Sequence, residues 1–258
     1  QSPMLKDKTA LVTSSTSGLG LGLGIARALA EQGANIVFNG FVDAAAIVAL
    51  QPEVSGKYGV QSAYHDADMS RPESMMRFAA AQFGPVDVLV NNAGIQHVAN
   101  IEDFPVEKCD AIIAINLCSA FHTTRPALPP MKNGNWGRII NVASTHGLVG
   151  SVKKSAYVAA KRGVVGLTKV TALETARTGV TCNAICPGWT LTPLVQQQID
   201  ARAQREGISN DAAAQTIVAE KQQSGEFVNI EQVAALAVFL CSDSGNQVRG
   251  AAWNMDGG

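Results

Sequence analysis

Residues 9–40, TALVTSSTSGLGLGLGIARALAEQGANIVFNG, decide the fold. A short apolar run over residues 9–13 feeds a glycine-rich turn, then an apolar pattern of helical period, then a second β-branched run from Asn35. Glycines at such a junction permit a tight turn and let backbone N–H groups and a helix N-terminus approach a pyrophosphate. The alternation continues through QSAYHDAD (61–68), VDVLVNNAG (86–94), RIINVAS (138–144), VTCNAICPG (180–188) and AAWNMDGG (251–258), with helical stretches between them. These strands read as continuous apolar runs, so burial on both faces and a parallel sheet wrapped by helices are expected. The implied fold class is α/β, a doubly wound nucleotide-binding sheet. Ligands of such sheets lie outside the carboxyl ends of the strands, where Asp68, Asn91 to Gly94, Ser144 and Pro187 to Thr192 all fall.

A chain of 258 residues, 47% of them hydrophobic, is long enough for one full core. No apolar run approaches the roughly 20 residues of a membrane span, and a net charge of −1 with mixed signs argues against a nucleic-acid surface. The five cysteines, Cys109, Cys118, Cys182, Cys186 and Cys241, form an odd set without a CxxC pair or metal-ligand spacing. They read as reduced thiols of a cytoplasmic protein, with no metal. Gln1 to Pro3 precede Met4 and resemble no signal peptide, so a native start at Met4 is expected, with one domain over residues 4–258. Within it, residues 194–227 lack a strand pattern and are expected to form an inserted helical lid.

The chemistry is carried by SAYVAAK (155–161). Tyr157 and Lys161 share a helix face at this spacing, and an ammonium one turn away favours a phenolate that is otherwise a poor base at neutral pH. Ser144, closing RIINVAS, is placed to hold a carbonyl or alcohol oxygen beside the phenol. The trio reads as proton transfer at a substrate oxygen.

Taken with the glycine loop, NNAG and PGW, these motifs make the chain resemble the short-chain dehydrogenase/reductase family across essentially its whole length. FNGF, NNAGIQH, IEDFP, STHGLV, KSAYVAAK, TALETA, CNAICPGW and TPLV resemble, within it, the members that act on D-3-hydroxybutyrate. The resemblance implies a Rossmann-type fold, NAD as cofactor, a small hydroxy-acid or keto-acid substrate and a homotetramer. It implies that Asn116 positions a water in a proton relay, that Ser144 binds the reacting oxygen, that Tyr157 is the acid–base, and that Lys161 binds the nicotinamide ribose and lowers the tyrosine pKa. Thr13, Ser15, Thr16, Ser17, Gly18, Leu19 and Gly20 are implied in the phosphate loop. Phe41, Ala67, Asp68, Met69, Asn92 and Gly94 are implied around the adenosine, and Pro187, Gly188, Thr190, Thr192 and Leu194 around the nicotinamide. The substrate pocket implied is Gln96, His146, Lys154, Trp189 and Gln198 beside Ser144 and Tyr157. A lysine, an imidazole and two amides suit a short acid with one carboxylate to grip.

Several positions depart from the family pattern. Ser14 stands where a glycine is usual, and if that position needs φ > 0 a serine is strained there. Counted back from Gly33, the loop holds two extra residues; the strand end sets phosphate geometry, so Gly18 and Gly20 are taken as the cradle glycines rather than Gly20 and Gly22. Asn39, Gly40 and Phe41 occupy the turn that grips the ribose, and no lysine or arginine lies in it, which favours NAD over NADP. The helix between Ser70 and Asp87 is about three residues short, and a short tail with a tryptophan beyond Gly258 is expected from the resemblance. Two other readings stay open: a related reductase for a larger 3-oxoacyl or alcohol substrate, and a non-catalytic dinucleotide-binding protein. The acid-binding set speaks against the first, and the intact Asn116, Ser144, Tyr157 and Lys161 against the second.

Overall fold

The computed structural model describes residues 2–16 and 20–258. Its strands are β1 (Thr9–Val12), β2 (Asn35–Asn39), β3 (Ser62–His65), β4 (Val88–Asn91), β5 (Gly137–Val142), β6 (Val180–Pro187) and β7 (Ala252–Met255). They form one parallel sheet in the order β3-β2-β1-β4-β5-β6-β7. The helices are α1 (Leu21–Glu31), α2 (Ala44–Tyr58), α3 (Glu73–Gln82), α4 (Val106–Ile113), α5 (Ser119–Asn133), α6 (Ser155–Glu174), α7 (Pro193–Glu206), α8 (Asn210–Ala219) and α9 (Ile230–Cys241).

Successive strand residues point to opposite faces, and here both sets are buried, as the continuous apolar runs require. Val12, Ile36, Phe38, Val90 and Ile140 pack against Leu23 and Leu29 of α1, Val54 of α2 and Leu240 of α9. Their neighbours Leu11, Val37, Leu89 and Ile139 pack instead against Met75 of α3, Met131 of α5 and Ala172 of α6. Helix ends are closed by the side chains the sequence supplies: Asp43 accepts the Ala46 N–H at 2.8 Å, Ser209 the Ala212 N–H at 3.1 Å, and Asn229 and Gln232 form a reciprocal capping box on α9.

β1 lies between β2 and β4, so the chain leaving β1 and the chain leaving β4 diverge and open a crevice between them. Thr13 staples that crevice shut from below. Its hydroxyl accepts the N–H groups of Asn92 at 2.9 Å and Ala93 at 3.0 Å.

The loop above it is strained at the position the sequence flags. Ser14 has φ +49°, the left-handed region, and is held there by an N–H donated to Asn39 Oδ1 (3.1 Å) and a carbonyl that accepts from the Asn92 amide (3.2 Å). α1 starts at Leu21 with Gly20 as N-cap, and a Cβ added to Gly22 would lie 2.3 Å from the Ser14 oxygen. Gly22 is thus the glycine that lets α1 approach the strand-end loop. Ser17, Gly18 and Leu19 lie outside the described residues.

Ser14→Gly is expected to stabilise the protein by about 0.5–1 kcal/mol, since relief of a left-handed residue exceeds the added freedom of the unfolded chain. Urea denaturation checks it, and a lower midpoint at unchanged slope would contradict it.

Residues 194–227 hold α7 and α8, which pack on each other through Ile199, Ala203, Ala213 and Ile217, with Trp189 and Phe227 against them.

Candidate active site

β5 ends at Val142, and Ser144 follows in extended conformation at the sheet's carboxyl edge. Its hydroxyl accepts the His146 N–H at 3.2 Å and lies 3.3 Å from His146 Nδ1. The His146 ring meets Tyr157 edge-on, with centroids 5.7 Å apart. α6 places Tyr157 and Lys161 one turn apart on the same face. Lys161 is buried, donates to the Val142 carbonyl at 3.1 Å, and holds its Nζ 5.6 Å from the Tyr157 ring centroid.

Asn116 sits in a π-helical turn, Ala114–Cys118, a geometry frequent at functional sites. Its amide pairs with Ile95, Oδ1 accepting the N–H at 2.8 Å and Nδ2 donating to the carbonyl at 2.9 Å. Each amide atom retains a further hydrogen-bonding valence. An added Cβ at Gly94 would lie 3.7 Å from both this amide and Lys161 Nζ, so the three converge on one open spot.

The electrostatics differ from the expectation at Tyr157. Its phenol is pushed up, by burial first, with only a partial opposing pull from the Ser144 hydroxyl. The Lys161 ammonium, held by the Val142 carbonyl with its Nζ 5.6 Å from the ring centroid, does not offset that burial. Burial instead lowers Lys161 itself from 10.5 to about 8. Burial, then Lys154, then Lys221 lower His146, and burial and then Lys221 lower Lys154. The imidazole is therefore held toward its neutral form, a donor and acceptor at once.

Two cavities flank this set. One, of about 290 Å³, is lined by Ser14, Thr16, Gly40, Phe41, Asp68, Met69 and Gly94, among others. Exposed Asp68, lowered chiefly by the Ser70 N–H, and the exposed ring of Phe41 offer an acceptor and a flat apolar surface to an adenosine. The other, of about 580 Å³, holds Ser144 and Tyr157 together with Gln96, His146, Lys154, Trp189, Gly188 and Thr190. The residues present fit a nicotinamide dinucleotide: the Gly94 backbone leaves room beside Asn116 and the buried ammonium of Lys161, two of whose hydrogens remain for a ribose.

Several of the residues expected around the cofactor brace the fold as well. Thr13 and Ser15 are fully buried, Ser15 donating to the Val12 carbonyl at 2.6 Å, and Ala67 receives the Asn39 amide at 3.1 Å. Asn92 braces Ser14. Pro187 is buried at the end of β6, and Thr192 caps α7 by accepting the Val195 N–H at 3.4 Å. Leu194 lies in the first turn of that helix. Gln198 is not brought to the cavity: Ile199 packs into the α7–α8 core, which turns Gln198 outward, exposed.

The sequence reading missed Lys221, Gln222 and Asp256, which line the larger cavity from the turn after α8 and from the turn after β7. It also missed the buried chain that sets the strand ends. Thr123 donates to Asn91 (2.7 Å), Asn91 to Asn141 (2.8 Å) and Asn141 to Thr168 (2.9 Å), tying β4 and β5 to α5 and α6. The asparagines in NNAG and RIINVAS were the only signal. Among the described residues, no cluster of His, Cys, Asp and Glu is arranged to hold a metal ion, and no helix is long and apolar enough to cross a membrane.

The family model for short chain dehydrogenases matches residues 8–203. A D-beta-hydroxybutyrate dehydrogenase of Cupriavidus necator is 66% identical over 99% of this chain and 98% of the relative. A protein of the same description from Rhizobium meliloti is 52% identical over 97% of this chain and 98% of its own length. Among solved structures, L-sorbose reductase from Gluconobacter frateurii, complexed with NADPH and L-sorbose, superposes with a TM-score of 0.92 at 26% identity, covering 100% of this chain and 98% of that one. Matched over most of its length, and with a serine, a tyrosine and a lysine gathered at the mouth of a parallel sheet, the chain belongs to the short-chain dehydrogenase/reductase family of oxidoreductases.

Proposed function

We propose that the protein interconverts D-3-hydroxybutyrate and acetoacetate with NAD. The observation that supports this most is that one cavity carries both the Ser144–Tyr157 pair and the cationic group formed by Lys154 and His146. A four-carbon hydroxy acid fits that division, with its alcohol at one end and its carboxylate at the other.

Bound along the sheet edge, a nicotinamide dinucleotide supplies the hydride acceptor. The chain's own part is proton handling: Ser144 holds the substrate oxygen, and Tyr157 takes the hydroxyl proton as the carbon–oxygen bond becomes double. Lys161, with two ammonium hydrogens left after its bond to the Val142 carbonyl, sets the ribose beside them. In the reverse direction Tyr157 returns the proton to the carbonyl oxygen.

NAD is favoured over NADP by the turn after β2. Asn39 spends its amide on the His65 and Ala67 carbonyls, both at 3.1 Å, and its oxygen on Ser14. Phe41 and Val42 follow, and no lysine or arginine lines that cavity, so an additional ribose phosphate meets no cation. The five thiols are free, consistent with a reducing cytoplasm. A homotetramer is supported by two exposed apolar faces, one with Phe121, Val170 and Leu173 on α5 and α6, the other with the stacked Phe239 and Trp253.

Formation of reduced dinucleotide from D- and L-3-hydroxybutyrate, with NAD and with NADP, tests the reading. Turnover is expected with the D isomer and NAD, and at least about tenfold less with NADP, the loss of roughly one charge-assisted contact. Preference for NADP or for the L isomer would overturn it.

A further inference from the structure

We propose that Lys221, carried to the cavity by the end of the lid, is a second cationic contact for the substrate's carboxylate and acts beside Lys154. This rests on the function proposed above, since it takes a carboxylate-bearing substrate as given.

Lys221 lines the same cavity as Lys154, His146, Ser144 and Tyr157. Its backbone is fixed although its side chain is exposed. The N–H groups of Lys221 and Gln222 both donate to the Val218 carbonyl, at 3.0 and 2.8 Å. Gln222 is buried, accepts the Trp189 N–H at 2.6 Å and donates to the Glu226 carbonyl. A Cβ on Gly188 would lie 2.3 Å from Gln222 Oε1, so the lid end is seated directly on the segment that carries Trp189. The ammonium is thus delivered to the rim by a welded turn, and only its own stem is free to move.

Neither lysine has a counter-ion. Among the described residues, the ion pairs involve Arg27, Arg202 and Arg205. Asp256, also on the cavity wall, turns Oδ1 to the Asn254 amide and the Gly258 N–H. Two like charges facing one cavity repel, and Lys221 lowers the pKa of both Lys154 and His146. An entering carboxylate relieves that repulsion, and its two oxygens offer enough acceptor sites for both ammoniums and the imidazole.

The experiment compares the unaltered protein with Lys221→Ala, Lys221→Gln and Lys221→Arg, using D-3-hydroxybutyrate, its uncharged methyl ester and NAD. For Lys221→Ala and Lys221→Gln the KM for the acid is expected to rise about fivefold, as for a solvent-accessible charge contact. The KM for NAD and kcat/KM for the ester should stay within about twofold, and Lys221→Arg should restore the acid KM. Thermal unfolding of each variant separates a folding defect from a binding one, and the glutamine variant keeps the stem if alanine disturbs the turn. An unchanged acid KM, or an equal loss with acid and ester, overturns the proposal while leaving the function standing. No turnover of D-3-hydroxybutyrate by the unaltered protein overturns the function and this contact with it.

Discussion

Lys161→Met is expected to abolish turnover and to make the folded protein more stable at pH 7. The ammonium is buried, and its pKa falls from 10.5 to about 8. Between those two values the unfolded chain holds a proton that the folded chain has released, so stability rises with pH across that window. Below about 8 the burial penalty is present in full. A depression of this size corresponds to about 3 kcal/mol, part of it offset by losing the bond to the Val142 carbonyl, which leaves a gain of about 1–3 kcal/mol at pH 7. Methionine fills similar space without a charge. Urea unfolding at pH 7 and pH 10 checks the sign: the unaltered protein should gain stability over that interval and the variant should not share this gain. A variant that is less stable at pH 7 would show that the ammonium supports the fold. Loss of turnover with a gain in stability marks a group kept for chemistry.

Tyr157→Phe is expected to lower turnover by about 10²–10⁴-fold, the usual worth of a positioned acid–base, while dinucleotide binding changes little. The substitution removes one oxygen and keeps the ring that meets His146 edge-on. Because burial raises the phenol above the ordinary tyrosine value, oxidation by the unaltered protein should go on climbing through the alkaline range as the phenolate fraction grows. Dinucleotide titration beside initial rates separates the two effects. Retention of a tenth or more of the rate would remove Tyr157 from the proton path.

The fold was legible because burial on both strand faces leaves a pattern that few other architectures leave. Leu11 and Val12 are both apolar for different reasons, one facing α5 and the other α1, and the run TALV records both. Ser144, Tyr157 and Lys161 were legible because helix geometry alone brings the last two together. Gln222 was not, since its role depends on a contact with Trp189, a residue that no local pattern relates to it. Three successive glutamines give no clue to which one faces inward, and with Ile199 buried in the α7–α8 core Gln198 is exposed. The close approach of Gly22 to the Ser14 carbonyl was not legible either, since the two lie eight residues apart across the loop and meet only in three dimensions. The polarity at Tyr157 likewise required depth of burial, which spacing does not carry.

The strand order also governs how the molecule is assembled. β1, β2 and β3 are consecutive neighbours, as are β4, β5, β6 and β7, and within the sheet the two groups meet where β1 pairs with β4, from Ala10 beside Val88 to Val12 beside Val90. During synthesis the first group emerges with the β1 edge bare, and the seam closes late, after a long stretch of intervening chain. The dinucleotide crevice is made by that closure and is absent from either half alone. A ligand that binds only the joined form holds the halves together by mass action, contributing about 2.7 kcal/mol when present at 100 times its Kd. Bound dinucleotide should therefore protect the seam between the two halves from opening, and slow the proteolysis that such opening allows.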